Sequence, residues 1–282
     1  MRIFAAAAVL TVLGAATACS TEAEMRAVDS AGSGDSPTAS PDGPPTPVPD
    51  GEVRTRGLVT VLDSGGGPEL CLGVVAESYP PQCGGPTLEG FEWGDVGAEE
   101  AGGVTWGQYS LTGTFDGTTF TVTDAVPAAL YDPMGEVEAV AGGLEPACDD
   151  ATTTDPGKAS PQDMDATLAA ASALPTYASA WLSNGTISVA VTGDAEAAEA
   201  ELRKTWGGLL CVSTVERTDA DLNTISQELQ AALGEQLLTS GSTAPDSLDA
   251  DVVFDDGSIQ AWADETYGAG LVKVTSALQP AD

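Results

Sequence analysis

The stretch Tyr109-Ser110-Leu111-Thr112-Gly113-Thr114-Phe115-Asp116-Gly117-Thr118-Thr119-Phe120-Thr121-Val122 decides the reading of the first half of this chain. On either side of Asp116-Gly117, apolar and hydroxyl-bearing residues alternate with a period of two, the pattern of strands with one face buried. Asp-Gly between such runs predicts a two-residue type I′ turn, in which both central residues take positive φ. Working outward, Gly57-Leu58-Val59-Thr60-Val61-Leu62 and Glu69-Leu70-Cys71-Leu72-Gly73-Val74-Val75 alternate in the same way. The Gly65-Gly66-Gly67 run between them lacks the Lys-Ser/Thr of a phosphate loop and precedes a strand, so it reads as a hairpin loop. Short strands with frequent glycine over residues 52–130 predict a small barrel or curled sheet.

The Gly-Leu-Val-Thr-Val opening at Gly57 and the Leu-Thr-Gly-Thr-Phe-Asp-Gly-Thr-Thr-Phe close at Leu111 resemble the first and last strands of an OB-type barrel. After it, residues 131–159 are acidic, contain Gly and Pro, hold Cys148 and read as a linker. Ser160-Pro161-Gln162-Asp163 then opens an alanine-rich helix, with a capping serine and a proline in the first turn where its missing N–H costs nothing; Pro175 stops it. A strand over 186–191, a helix from Asp194 to Lys204 and a strand at Leu209-Leu210-Cys211-Val212-Ser213 follow. The next helix places Leu222, Ile225, Leu229 and Leu233 on one face. The end of the chain reads as three strands, 251–254, 258–262 and 270–275, the first two joined by a tight turn at Asp256-Gly257. The fold class expected is therefore α+β: a small OB-like β-barrel or curled sheet over 52–130, then an α+β domain over 160–282 with a mixed or antiparallel sheet and helices on one face.

A faint internal echo runs through the second half. Gly185-Thr186-Ile187 recurs as Gly257-Ser258-Ile259, and Trp206-Gly207-Gly208-Leu209 as Tyr267-Gly268-Ala269-Gly270-Leu271. The two units differ in spacing: the first holds a helix, and the second, with a strand at 258–262, leaves room for a short loop.

At the other end, Arg2 precedes an apolar run from Ile3 to Gly14, then Ala15-Ala16-Thr17-Ala18-Cys19. A positive start, a short apolar core and small residues before a cut site are a secretory signal, here residues 1–18. The run is shorter than the ~20 residues of a spanning helix. The arrangement resembles a lipobox, with Ala16 standing where Leu is most typical. That resemblance implies that Cys19 is lipidated and becomes the first mature residue. Residues 19–51, rich in Ser, Thr, Pro, Gly and Asp, read as a disordered tether reaching at most ~100 Å at ~3.1 Å per residue. The four further cysteines, Cys71, Cys83, Cys148 and Cys211, are an even set suited to two disulfides in an oxidising compartment. Proximity across Tyr79-Pro80-Pro81 favours Cys71 with Cys83, leaving Cys148 with Cys211 as a clamp. Zinc is disfavoured, since no C-x2-C spacing or histidine is present.

The chain has 43 Asp+Glu against 9 Lys+Arg, a formal charge of -34; losing Arg2 with the signal takes it to -35. Scattered cations exclude nucleic acid as partner, and an anionic membrane surface would repel the chain, so its lipid must supply adhesion. With no histidine, Ser-His-Asp and Cys-His catalysis fall away. Paired carboxylates leave a cell-wall hydrolase as the alternative enzyme reading, and the runs Asp246, Asp249, Asp251 and Asp255, Asp256 leave a calcium-responsive adhesin. Asp149-Asp150 reads as turn, and Asn184-Gly185-Thr186, though a sequon, as a turn before a strand. Trp93, Trp106, Trp181, Trp206 and Trp262 are read first as core, and second as platforms for sugars of a wall polymer. In composition the chain resembles envelope lipoproteins of high-GC Gram-positive (actinobacterial-type) bacteria, which implies lipid attachment at Cys19 and no particular activity. Through its Trp181 to Val191 stretch the second domain resembles the small α+β pro-domains of secreted serine proteases, a resemblance whose implied foldase role would require a separate target chain. The function expected is a non-enzymatic binding module, lipid-anchored on the extracytoplasmic face of the cell membrane. Its expected partners are the membrane, through the lipid, and an envelope protein or wall component, with no metal or cofactor.

Overall fold

The structure, a computed structural model, describes residues 43–94, 97–132 and 144–281. Cys19, the signal and residues 19–42 of the expected tether lie outside the described residues. The first half supplies β1 (Glu52–Thr55), β2 (Val59–Asp63), β3 (Glu69–Cys71), β4 (Thr87–Glu89), β5 (Ala98–Ala101), β6 (Val104–Phe115) and β7 (Thr119–Pro127). Five of them close a ring. β2 pairs with both β3 and β6, β3 with β4, β4 with β7 in parallel, and β7 with β6. Of the barrel or curled sheet that the alternation predicts, the chain forms a closed ring.

β6 is long enough to serve four neighbours, β1, β2, β5 and β7, because it bends. Its register against β7 shifts between Thr112 and Gly113, and a Cβ on Gly113 would lie 2.1 Å from the Thr121 carbonyl oxygen. Only glycine admits that approach. The turn after β6 differs from the type I′ expectation: of Asp116 and Gly117, only Gly117 has positive φ, at 101°. The Asp116 carboxylate instead organises the loop by accepting hydrogen bonds from the Thr118 and Thr119 N–H groups at 2.9 and 2.7 Å. A side-chain acceptor replaces the second left-handed residue.

The second half runs α1 (Pro161–Ser172), β8 (Tyr177–Ser183), β9 (Thr186–Val191), α2 (Ala195–Leu202), β10 (Leu210–Thr214), α3 (Asp219–Leu233), β11 (Leu237–Ala244), β12 (Ser247–Val252), α4 (Ser258–Tyr267), β13 (Val272–Ser276) and β14 (Leu278–Pro280). It is one helix–hairpin–helix–strand unit written twice. In each unit an antiparallel hairpin (β8–β9, β11–β12) is extended by a parallel strand (β10, β13) reached through a helix. Ile187 opposes Leu210 in the first sheet as Leu248 opposes Val272 in the second. The echo of Trp206 with Tyr267 falls on equivalent places, each buried just before the parallel strand. The echo of Gly185 with Gly257 does not: Gly185 sits in the β8–β9 turn, whereas Gly257 precedes α4.

The expected strand at 258–262 is therefore a helix, and the expected hairpin at Asp256-Gly257 is its start. Asp255 accepts from the Gly257 and Ile259 N–H groups and Asp256 from that of Ser258, satisfying donors that a helix leaves unpaired. Ile259, Ala263 and Tyr267, four residues apart, then point into one core. The helical period prevails over the local β propensity of Ile and Trp. The other helices start as the sequence predicts, with capping boxes at Ser160/Asp163 and Thr218/Asp221 and a side-chain cap at Asp194.

The barrel core joins Val53, Val61, Leu70, Leu111, Phe115 and Phe120 to Val253, Phe254 and Leu278 from the end of the chain. β14 pairs with β1, setting Leu278 opposite Thr55. Residues 144–159 do not hang free: Arg203 donates to the Thr152 carbonyl, and Thr154 and Asp155 donate to that of Gly207. A Cβ on Gly207 would meet the Asp155 oxygen at 2.0 Å. Both disulfides are present, Cys71–Cys83 and Cys148–Cys211, with Cα separations of 5.8 and 5.9 Å.

Two measurements check this arrangement. Leu278→Ala should cost about 2–5 kcal/mol in urea unfolding; a loss below about 1 kcal/mol would show that β14 is not part of the barrel core. Replacing both Cys148 and Cys211 by Ser, which frees a loop of sequence separation 63, should cost about 4 kcal/mol. The same change at Cys71 and Cys83, separation 12, should cost about 3 kcal/mol by loop-closure entropy.

Candidate ligand-binding site

The acidic runs singled out in the sequence are engaged in holding the fold. Asp246, at the β11–β12 turn with φ 54°, accepts from the Glu216 and Arg217 N–H groups at 2.5 and 2.7 Å. Asp251 accepts from the Thr239 hydroxyl and lies 3.9 Å from Arg56. Asp255 and Asp256 start α4, as above. Among the described residues, no group of three or more Cys, Asp or Glu side chains is placed to hold a metal ion. Asp63 likewise closes the Gly65–Gly67 loop through the Gly65 and Gly67 N–H groups, and Asn184-Gly185 forms the β8–β9 turn with both residues at positive φ.

The tryptophans divide by environment. Trp206 is buried, with its indole N–H on the Leu209 carbonyl; Trp262 packs on Tyr267 and Trp93 on Phe91. Trp106 is buried under Tyr79, whose ring meets it edge-on at 5.3 Å from the tip of the Cys71–Cys83 loop. Trp181 alone of the five borders one of the three cavities described below.

Three concavities stand out. The largest, about 510 Å³, is an apolar crevice where Leu72, Pro86 and Phe115 of the barrel face Leu238 and Val253 of the second repeat. A second, about 320 Å³, shares Leu72 and Leu238 with it and extends along Leu58 and Val74 toward Arg56 and Asp251. Both are seams between the barrel and β11. The third, about 310 Å³, lies between the two repeats. β8 contributes Ser179, Ala180 and Trp181, the first turns of α3 contribute Asp219 and Asn223, and β11 contributes Ser242 and Ala244. Its volume is at the low end for small-molecule clefts, and its polar groups converge from separate elements, as recognition sites require.

Local sequence explains how each wall is held. Strand alternation puts Trp181 and Ser188, which oppose each other, on the sheet face away from the helices. There the segment from Leu144 packs: Trp181 Nε1 donates to the Glu145 carbonyl at 2.8 Å, Ala147 N–H donates to Ser188 Oγ at 3.1 Å, and Cys148 is bonded to Cys211. The clamp thus fixes the indole. Asp219 and Asn223, four residues apart, share a face of α3. At the start of that helix Thr218 Oγ accepts from the Asp221 N–H, and the Asp221 carboxyl is held below the ordinary range by hydrogen bonds from the Thr218 hydroxyl and N–H.

Asp219 at the cleft and Tyr177, which feels its charge, behave differently. Partial burial pushes the Asp219 carboxyl above the ordinary Asp range, and Tyr177 is raised by burial and then by the Asp219 charge. Ser179 Oγ is buried with no hydrogen-bond partner among the described residues. A carboxylate, an unpartnered hydroxyl, an amide and an indole border one small cleft, with no Lys or Arg among its lining residues. Of the residues singled out from sequence, only Trp181 is brought here. Asp219 carried no signal beyond its place in a helix start, and Ser179, in the unexpected strand β8, carried none. Comparison with protein-family models, curated proteins and solved structures gave no match.

The Asp219 shift makes a prediction about stability. Its folded pKa is raised, so the folded state holds its proton more tightly, and this group's contribution to stability falls as pH rises through the Asp range and above. Asp219→Asn should therefore unfold at the same or higher temperature than the native chain at pH 7, with the advantage gone at about pH 3, where both forms are neutral. A melting temperature lowered at pH 7 and unchanged at pH 3 would contradict it.

Proposed function

We propose that this protein is a non-enzymatic binding module, carried on the extracytoplasmic face of the cell membrane by a lipid on Cys19. The observation that carries the reading is the cleft between the repeats: it gathers groups suited to recognition, and its one carboxylate, Asp219, has no second acid beside it in the lining. A carboxylate-dependent hydrolase would need an acid and a base facing one another across a sugar. The lack of histidine in the chain supports the same reading. Calcium-dependent adhesion is disfavoured because Asp246, Asp251, Asp255 and Asp256 spend their oxygens on backbone and hydroxyl donors.

For the location, support comes from the Ala16-Thr17-Ala18-Cys19 motif and from two disulfides, which persist outside the reducing cytosol. The partner on this reading is an envelope protein or a wall component. The net charge of -34 repels an anionic bilayer, so acylation alone keeps the chain there, and two chains hold where one is marginal. Palmitate labelling and cell fractionation test this. The native chain should take up label and stay with the membrane, and Cys19→Ala should lose the label and leave the membrane fraction. A Cys19→Ala chain that remains with the membrane as completely as the native one would overturn the anchoring.

A further inference from the structure

We infer that the cleft between the two repeats binds an organic ammonium group, seated against the Trp181 indole and the Asp219 carboxylate. The inference rests on the reading as a binding module and names the ligand chemistry of that site. Its first ground is charge. The lining has one carboxylate and no cation, and the nearest arginine in sequence, Arg217, turns to Glu216 at 3.4 Å. A ligand with a positive group would supply the counter-charge that Asp219 lacks, whereas an anion would meet both Asp219 and the field of a chain at -34.

The second ground is the aromatic wall. An ammonium group is drawn to the face of an indole by its quadrupole, most strongly where water is displaced. Trp181 is held by its bond to the Glu145 carbonyl, so little side-chain freedom is left to lose on binding. The third ground is Ser179 Oγ, a buried hydroxyl at the same cleft without a partner among the described residues, an uncommon state for a polar atom unless something completes it. Ser242 already donates to the Ala244 carbonyl, which leaves its oxygen free to accept. Asp219, Ser179, Ser242 and the Asn223 carbonyl thus offer acceptors to one cation. The partial positive charge of the α3 start does not oppose this, since the Asp221 carboxylate lies in its first turn, held by the Thr218 N–H and hydroxyl.

Choline and 3,3-dimethylbutan-1-ol, which has carbon in place of the charged nitrogen, test the assignment on the full chain. Nuclear magnetic resonance would follow the Trp181 indole N–H, assigned with Trp181→Phe. Choline should shift that resonance saturably, the neutral isostere should bind at least tenfold more weakly, and Asp219→Asn should weaken choline at least tenfold. Asn223→Ala, at an exposed helix position, serves as a second variant and should weaken it severalfold. Equal binding of the isostere, an unchanged affinity in Asp219→Asn, or no saturable shift would each overturn the inference. Such a failure leaves the membrane location untouched, because that is read by labelling and fractionation of Cys19→Ala.

Discussion

The pairing of the last strand with the first is the constraint on which the rest of the structure depends. β14 joins β1, and Leu278, with Val253 and Phe254, completes a barrel core whose other members lie between Val53 and Phe120. A barrel of this size buries too little apolar surface to be comfortably stable by itself, and three large side chains from the far end of the chain make up part of the deficit. The second repeat is thereby fixed against the barrel. Ala277 donates to the Val252 carbonyl and Leu278 to that of Val253, so the edge of its sheet is drawn directly into the barrel wall.

That attachment makes the two repeats unequal. On the face away from its helices, the first sheet carries Trp181, Ser188 and Cys211, covered by the segment that Cys148 ties down. The matching positions of the second sheet are Gly241, Asp249 and Lys273, and no such segment crosses them among the described residues. The cleft lies where the covered sheet meets the start of α3 and the end of β11. A duplicated scaffold thus carries this cleft on one side, where the clamp lies, among the described residues.

How much of this was legible in the sequence depends on how local each cause is. β2, β3, β6 and β7 follow from alternation, α1, α2 and α3 from capping residues and the apolar period, and the disulfide pairings from spacing, whereas β4, three residues long, carries no such signal. α4 was misread because Ile259 and Trp262 suit either a strand or a helix, and only Asp255 and Asp256, whose use is set by three-dimensional context, distinguish the two. β14 is three residues of Leu-Gln-Pro; nothing in so short a run announces a partner more than two hundred residues earlier. The candidate site shows the same divide. Trp181 stood out by residue type, whereas Asp219 and Ser179 acquire their character from the meeting of α3 with β8, which no single stretch encodes.

The most direct test is amide hydrogen exchange across a denaturant series, following β6 in the barrel and β12 in the second repeat. If the end of the chain welds the two together, the slowest amides of both strands converge on one unfolding isotherm with one free energy. Two isotherms that remain apart, with the barrel opening while β12 stays protected, would contradict the account.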